Sequence, residues 1–421
     1  MYCGSCLHGN ALVAALREAG TDAMLLPMYA PLRTDADSES LEYVAFGGVN
    51  VYLQQRWSLF QRTPWMFDRL LDRPALLRWL TRRSATTRPS ELGPLTVSML
   101  RGEDGRQRKE LEKLLHLLDH TLRPDVIHLN NALLTGVAPA IQRRLRIPVV
   151  CSLTGEDAFL DKLPPPHREE AWRLLRERAA GLDARIALSR YFAGAMAERL
   201  ALPGESIDVI PPGIHVAHGA DPPAPGPKPA AGGPFRVGFF SRIAPEKGLH
   251  LLAEAVGLLA TDASLRPVEL HAAGYLDPAD RPYLTEVEHR MATVGLADRF
   301  HYHGAPDRAG KTTLLQSFDL FSLPTMLPES KGLPVLEAWA AGVPAVLPHH
   351  GVFVELVEDT GGGLLHEPGS AALLAEAIAA MLRDPALAAA CGRRARTAVC
   401  EQYNAATMAA RTVALYQRTL R

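Results

Sequence analysis

The chain has 421 residues, with 45 lysines and arginines against 46 aspartates and glutamates, so its net charge is −1. This length suffices for two domains with separate cores, and the balanced charge gives no basis for nucleic-acid binding. No apolar run approaches the roughly 18 residues of a membrane span, and the first ten residues lack the basic start and apolar middle of a signal peptide. We therefore expect a cytoplasmic protein and leave open a peripheral position at the inner membrane face.

The first residues, MYCGSCLHGN, lead into a helical pattern that extends over residues 8–19 and ends at Gly20. A thiol pair ahead of a helix suggests redox chemistry, because a helix N-terminus lowers thiol pKa. A thioredoxin-like module needs a strand before that pair, and the five cysteines offer no second pair for zinc. We therefore favour the interpretation that Cys3 and Cys6 are ordinary small residues at a helix start, without redox or zinc chemistry. A doubly wound domain begins with a strand, so we also expect that a first strand is missing from this chain.

Later segments of the first half have alternating strand and helix patterns. Asp22 to Met28 and Leu95 to Leu100 are predicted strands, whereas residues 109–120 have helical periodicity. Two buried strands, 124–130 and 147–153, end in polar sequence, with Asn130 closing the first and TGEDAF following the second. Polar residues at the carboxyl ends of parallel strands are typical of a ligand cleft.

Residues 56–88 have an unusual composition. They contain eight arginines against two aspartates, and three of the five tryptophans of the chain are interleaved with them. An amphipathic helical pair that covers a sheet is the favoured interpretation. The alternative is a surface that contacts an anionic lipid headgroup, a lipid-linked acceptor or an acidic glycan, because basic segments with Trp settle at membrane interfaces.

A stretch rich in Pro and Gly, residues 215–233, separates the two halves and is predicted to be a linker. The strand pattern from Phe235 to Phe240 then leads into a loop that carries Arg242 and Lys247, before a helix that starts near Gly248. Two cations at the carboxyl end of a strand suit a diphosphate, because Arg forks around phosphate oxygens and Lys supplies a compact charge.

The most informative stretch is FDLFSLPTMLPESKGLPVLEAWAAGVPAVLP, residues 318–348. Its pattern is strand, loop, helix and strand, with Pro334 in the first helical turn and a stop at Gly342. The loop therefore opens at the carboxyl edge of a parallel sheet, where α/β folds bind ligands. Glu329 and Glu337 have seven residues between them, and the amides near the helix start favour an anion. Together these features indicate a nucleotide-sugar site.

This stretch resembles the donor motif of the family 4 retaining glycosyltransferases of the GT-B fold, in which two Glu with seven residues between them flank a Gly-Leu-Pro helix start. The resemblance implies an α/β protein of two facing Rossmann-like doubly wound domains with a cleft between them. We expect an acceptor-side domain at 1–214, the linker at 215–233, a donor domain at 234–399 and a helix within 400–421 that returns to the first domain. Lys331 stands where the family usually has an aromatic residue.

The resemblance also assigns roles to residues. It implies catalytic roles for Arg242, Lys247 and Glu329, with the two cations on the donor diphosphate and Glu329 on sugar hydroxyls. Donor contacts are expected from Gly274, Gly332, Leu333, Pro334, Glu337 and Gly351, and acceptor-side contacts from Gly4, Ser5, His8, Asn130, Thr154 and Asp157. Two alternatives remain open, a solvated helix-start histidine at His8 and a plain helix cap at Asp157. Many family members have His at the position of Thr154, so that role is not carried over.

The implied reaction transfers a sugar from a nucleoside diphosphate to a hydroxyl of a glycan, a lipid-linked or a small-molecule acceptor, with no metal and no cofactor. A glycoside hydrolase fits less well, because the nearby cations suit a phosphate better than a glycosidic oxygen. An epimerase, a phosphorylase or a catalytically silent nucleotide-sugar-binding protein shares the fold and stays open. The sequence leaves the donor base, the sugar, the acceptor and the oligomeric state undetermined.

Overall fold

A computed structural model describes residues 4–29, 38–41, 44–46, 89–216 and 232–421. The chain divides into two compact units, Met1–Pro211 with Met408–Arg421, and Pro212–Thr407. We call them the first unit and the second unit. The block at 56–88 and most of the predicted linker, residues 217–231, lie outside the described residues. Within the part of the chain that is described, no helix is long and apolar enough to cross a membrane.

The first unit is built on a parallel sheet of four strands in the order β1-β2-β3-β4. Every residue of β2 is buried, as expected of an inner strand covered on both faces. The strands are β1 Ile127–Leu129, β2 Val149–Leu153, β3 Ala184–Ala187 and β4 Asp208–Val209. The helices described in this unit ahead of β4 are α1 Gly4–Glu18, α2 Pro89–Arg101, α3 Arg108–Leu117, α4 Ala138–Leu145, α5 Asp157–Leu160, α6 His167–Ala180 and α7 Arg190–Leu200.

Two of the predicted strands are wrong. Leu95 to Leu100 lies inside α2, and Asp22 to Met28 has one bridge among the described residues, between Leu25 and Ser40. The segment LTVSML alternates apolar and polar residues, which is the strand pattern, but Thr96 to Leu100 are all buried in the helix, so its polar residues mark no solvent face. A Cβ added to Gly136 would lie 1.9 Å from the carbonyl oxygen of Met99, so the helix backbone packs directly against the turn 132–137.

The second unit contains a parallel sheet of six strands in the order β10-β9-β8-β5-β6-β7. Residues between successive strands form helices, as in a doubly wound domain. The strands are β5 Phe235–Phe240, β6 Val268–Ala273, β7 Phe300–Tyr302, β8 Leu320–Ser322, β9 Ala345–Pro348 and β10 Gly363–His366. The helices are α8 Leu249–Leu259, α9 Arg281–Thr293, α10 Arg308–Gln316, α11 Leu333–Ala340, α12 Val352–Thr360, α13 Ala371–Arg383 and α14 Pro385–Glu401.

The last helix, α15 Ala405–Thr419, has most of its length in the first unit. Its Tyr416 hydroxyl lies 2.6 Å from Nδ1 of the half-buried His128 on β1, and Arg418 pairs with Asp208 at 2.7 Å. Nε2 of His128 lies 2.7 Å from the Ser152 hydroxyl. Burial lowers the pKa of His128 to about 4, so its imidazole is neutral at pH 7. A helix from the chain's end is thus attached to the first sheet.

Candidate functional site

The central strands β5 and β8 of the second unit are neighbours in its sheet and run parallel. Their carboxyl ends therefore meet at one sheet edge. The loop 241–248 follows β5 and carries Arg242 and Lys247, and we call it the cation loop. The loop 323–332 follows β8 and carries Glu329, and we call it the carboxylate loop. The sequence places these loops far apart, and the fold makes them adjacent.

A glycine allows the two loops to approach. Gly248 ends the cation loop with φ 77°, and a Cβ at this position would lie 1.8 Å from the carbonyl oxygen of Pro324. The amide of Met326 also donates a hydrogen bond to the carbonyl of Glu246, at 2.9 Å. Because any larger residue at Gly248 would displace the carboxylate loop, this glycine fixes the spacing between the loops.

Lys247 and Glu329 form an ion pair across the loops, with Nζ 2.6 Å from Oε2. Only 23% and 18% of their side-chain surfaces are exposed. Burial alone would raise the pKa of Glu329, but the charge and hydrogen bond of Lys247 outweigh it and bring the pKa below its usual value. Glu329 is therefore a carboxylate near neutral pH. Lys247 and Glu329 offer an anion site and a hydroxyl acceptor side by side.

Gly351 packs closely against the backbone of Glu329. It precedes α12 with φ 61°, and a Cβ there would lie 2.6 Å from the Glu329 nitrogen. The amide of Val352 donates to the Glu329 carbonyl at 2.8 Å. The start of α12 thus holds the backbone of Glu329. Gly351 was predicted as a donor contact, and the structure shows what it does locally, which is to leave room for that backbone.

Helix α11 begins as the sequence predicted. Gly332 caps it with φ 70°, and Leu333 and Pro334 form its first turn. Glu337 lies on this helix and pairs with Lys311 of α10, with Nζ 2.7 Å from Oε1. Lys311 was missed by the sequence analysis, because α10 carries no motif and nothing in the sequence places it beside α11.

Lys311 is a nearly buried cation. Only 11% of its side chain is exposed, and its Nζ lies 5.6 Å from the centroid of the Phe240 ring, a cation–π contact. Each of the two predicted donor carboxylates therefore has a lysine partner, Lys247 for Glu329 and Lys311 for Glu337.

Arg242 and Gly274 lie at the same edge. Arg242 is 45% exposed and pairs with Glu246 of its own loop. Gly274, after β6, has φ 136°, and a Cβ there would lie 1.8 Å from the carbonyl oxygen of Ser241. Close approach of the β6 end to the residue before Arg242 thus requires glycine. Gly274 is at the predicted place, and it shapes the cation loop.

Two buried polar atoms also lie at this edge and were not predicted. Thr325 Oγ1 and His350 Nδ1 have no hydrogen-bond partner among the residues that the structure describes. The other ring nitrogen of His350 lies 2.9 Å from the Thr325 carbonyl, so the His350 ring packs against the backbone of Thr325. Buried polar groups without a partner are uncommon in proteins and call for a ligand or water.

The predicted acceptor-side residues of the first unit form a second polar cluster, at the ends of β1 and β2. Ser5 Oγ donates to Thr154 Oγ1 at 2.9 Å, and Asn130 Nδ2 donates to the Ser5 carbonyl at 2.6 Å. A Cβ at Gly9 would lie 2.6 Å from Asn130 Nδ2, so this glycine allows α1 to pack on Asn130. The fold brings Ser5, Asn130 and Thr154 together.

Glu156 is the anchor of this cluster. It accepts hydrogen bonds from the Thr154 amide at 2.8 Å, from the Thr154 hydroxyl at 2.9 Å and from the Ala132 amide at 2.9 Å. Burial raises the pKa of Glu156 above its usual value, although these donors act in the opposite direction. A carboxyl group with this many donors organises the loop after β2.

The remaining acceptor-side candidates differ in their surroundings. His8 is buried within α1 with 3% exposure, so the alternative of a solvated histidine is wrong. Gly4 is the first residue of α1 and is half-buried. Asp157 is half-buried and is the first residue of the short helix α5, whose N-cap is Glu156, so the alternative of a plain cap at Asp157 is also wrong.

Two family patterns match the chain. The family described as Glycosyltransferase Family 4 matches residues 10–218, and the family described as Glycosyl transferases group 1 matches residues 224–398. A 2-deoxystreptamine glucosyltransferase of Streptomyces kanamyceticus is 30% identical over 258 residues, 60% of this chain and 63% of the relative. The chain thus spans less than two thirds of that relative.

Another relative and a solved structure agree with these matches. A GDP-mannose-dependent alpha-(1-6)-phosphatidylinositol monomannoside mannosyltransferase of Mycobacterium tuberculosis is 28% identical, over 62% of this chain and 68% of the relative. The crystal structure of Anabaena HepE with UDP and glucose is similar at a TM-score of 0.60, with 23% identity, 73% of this chain and 81% of that chain. The chain therefore belongs to the family 4 glycosyltransferases and has the GT-B fold.

Proposed function

We propose that this protein transfers a sugar from a nucleoside diphosphate sugar to a hydroxyl acceptor, with retention at the anomeric carbon and without a metal. The observation that carries the proposal is the pair of lysine-paired carboxylates, Glu329 and Glu337, at one edge of the second sheet. Two relatives are named for glucosyl and mannosyl transfer, and the HepE crystals contain UDP and glucose. The first candidate donors are therefore glucose and mannose linked to UDP or GDP.

On this proposal, Arg242 and Lys247 bind the donor diphosphate together with the amides near Gly332 and Leu333 at the start of α11. The Arg242 guanidinium is exposed and its ion pair is with Glu246 of the same loop, so it can turn to phosphate at small cost. Glu329 would then accept hydrogen bonds from the sugar hydroxyls, and Glu337 from the ribose. The buried Thr325 hydroxyl offers a further polar contact at the same edge.

The chemical difficulty is the departure of the diphosphate. As the bond from the anomeric carbon to the phosphate oxygen breaks, negative charge grows on that oxygen, and Arg242 and Lys247 stabilise it more in the transition state than in the ground state. The acceptor oxygen forms its bond to the anomeric carbon on the same face. Its proton passes to the departing phosphate oxygen. Because the new bond forms on the face that the phosphate leaves, the configuration is retained with no side-chain nucleophile.

The acceptor is proposed to bind at the strand ends of the first unit, near Ser5, Asn130 and Thr154. The Thr154 hydroxyl is already engaged with Ser5 and Glu156, so its role is to position the loop after β2. Asp157 lies at the end of the same loop after β2, as the first residue of α5. It is half-buried, and its carboxylate suits sugar hydroxyls. Glycan, lipid-linked and small-molecule acceptors all have this chemistry.

The test is a transfer assay with each donor against a panel of such acceptors, with product configuration read by NMR coupling at the anomeric proton. The proposal expects an α-linked product from an α-linked donor and unchanged rates after chelator treatment. A β-linked product, or activity that requires an added divalent ion, contradicts it.

Other activities of the same fold give different products. Sugar epimerisation would release nucleoside diphosphate without transfer, and a phosphorylase would need inorganic phosphate. A silent binding protein would bind the nucleotide with no turnover. The assay therefore separates these alternatives when free nucleotide, phosphate dependence and binding are measured together.

A further inference from the structure

Four side chains that can bind a metal lie on one face of the second sheet. Two are on β6, one is on β7 and one directly follows β7. His271 of β6 is directly opposite His301 of β7 in the parallel register. Glu269 precedes His271 by two residues, and His303 follows His301 by two, so all four lie on the same face. β7 is the edge strand of the sheet, and no role in the proposed transfer uses these residues.

Their ligand atoms converge. Glu269, His271 and His301 offer atoms that all lie within 4.8 Å of one another. Nε2 of His271 lies 3.1 Å from Oε2 of Glu269. Tetrahedral zinc with bonds of about 2.0–2.1 Å places its ligand atoms roughly 3.3 Å apart, so side-chain movements on the order of 1 Å close the set.

We propose that Glu269, His271 and His301 bind a zinc ion, with water in the fourth position. His271 uses Nε2 for the metal, because its Nδ1 lies 3.0 Å from Nε2 of His303. His303 then acts as the outer hydrogen-bond partner that fixes the tautomer of a ligating imidazole. Two imidazoles and one carboxylate favour zinc over magnesium or calcium, which prefer oxygen ligands.

Two neighbours shape the surroundings of the site. Arg236 has its Nε 3.9 Å from Oε2 of Glu269, so its guanidinium holds this carboxylate at the sheet face and shares it with the zinc when the ion binds. The Phe318 ring lies over Gly238, and its centroid is 6.2 Å from that of His271, which gives the site an apolar wall. A bound zinc would join the edge strand β7 to β6, three residues before Gly274.

The experiment uses the full chain, stripped of metal and titrated with zinc chloride by calorimetry, with retained zinc counted after gel filtration. His301→Gln and Glu269→Gln remove ligands, and the exposed His289→Gln on α9 is the matched control. A double variant, His116→Gln with His120→Gln, controls for zinc binding by that stacked pair, whose ring centroids are 4.3 Å apart. Each variant is first shown to melt cooperatively without metal.

We expect wild type, His289→Gln and the double variant to retain one zinc that the ligand variants lose. His303→Ala should weaken that binding by about 10- to 100-fold, as outer partners of metal sites do. Zinc should raise the melting temperature of wild type and leave that of His301→Gln unchanged. Zinc binding that survives in His301→Gln and Glu269→Gln, or that is absent from wild type, overturns the proposal.

Discussion

Nζ of Lys247 lies 2.6 Å from Oε2 of Glu329, although 82 residues separate them in the chain. The pair connects the loops after β5 and β8, so it shapes the sheet edge before any ligand arrives. Breaking a poorly hydrated pair leaves a charge without its partner, whereas removing both partners does not.

Lys247→Met and Glu329→Gln should therefore each lower the free energy of unfolding by about 1–3 kcal/mol, and the double variant by less than their sum. Urea unfolding at pH 7 measures all three. Arg242→Met is the control, because its exposed pair with Glu246 should contribute under about 1 kcal/mol. Strict additivity of the two single changes would show that the pair is not coupled.

Gly351→Ala should disturb Glu329 through its backbone. The added Cβ would meet the Glu329 nitrogen at 2.6 Å, and the residue has φ 61°. Gly369→Ala is the matched control, because Gly369 has φ 77° with no heavy atom near the added Cβ. Both changes should lower stability by about 1 kcal/mol through the positive φ, Gly351→Ala by more because its Cβ also meets backbone atoms, and only Gly351→Ala should weaken nucleotide binding. Isothermal titration calorimetry measures the nucleotide affinity of both variants. Equal affinity in the two would contradict this role of Gly351.

Lys311→Met should weaken the binding of a nucleoside diphosphate by about tenfold. The reason is that Glu337 loses the ammonium group that lies 2.7 Å from its Oε1 and orients its carboxylate. Lys113→Met is the control, since Lys113 pairs with Glu110 at 3.0 Å in the first unit and is equally hidden, with 11% of its side chain exposed. Both variants should lose stability, and Lys113→Met should keep full affinity. A loss of affinity common to both would mean that Lys311 acts only through stability.

The half-buried His128 predicts how the free energy of unfolding depends on pH. Its pKa is about 4 in the folded protein and near 6.5 when unfolded, so the unfolded chain binds the extra proton between these values. Its contribution is complete above pH 6.5 and is lost as pH falls toward 4, by up to about 3 kcal/mol. His128→Asn should flatten the unfolding free energy across this range, and the exposed His289→Asn should not. Parallel pH curves for wild type and His128→Asn would refute the assignment.

Much of this architecture follows from sequence. Phe235–Phe240 is a strand as predicted, and α11 begins at the Gly-Leu-Pro turn, because a buried apolar run and a Gly-Pro start are local signals. The prediction of a strand at Leu95–Leu100 was wrong, because its apolar and polar residues alternate as in a strand. In the structure Thr96 to Leu100 are all buried within a helix, so the polar residues face no solvent. Lys311 was not predictable, because its partnership with Glu337 exists only once α10 packs beside α11.

The acceptor side shows the same limit. Asn130 and the residues after β2 follow strand ends, and this local signal located them. Their hydrogen bonds to Ser5 depend on α1, which is 125 residues from Asn130 in sequence. Chain-distant contacts of this kind follow from the fold, and the linear pattern carries no record of them.

The most direct measurement is the binding of a panel of nucleoside diphosphates and their glucose and mannose esters to wild type, Lys247→Ala and Glu337→Ala, with Gly194→Ala as a control. Gly194 has no heavy atom near an added Cβ. The account predicts that one base binds wild type and the control, raises their melting temperature, and fails to bind the two site variants. Binding that both site variants retain, or no binding by folded wild type, would contradict a donor site at this sheet edge.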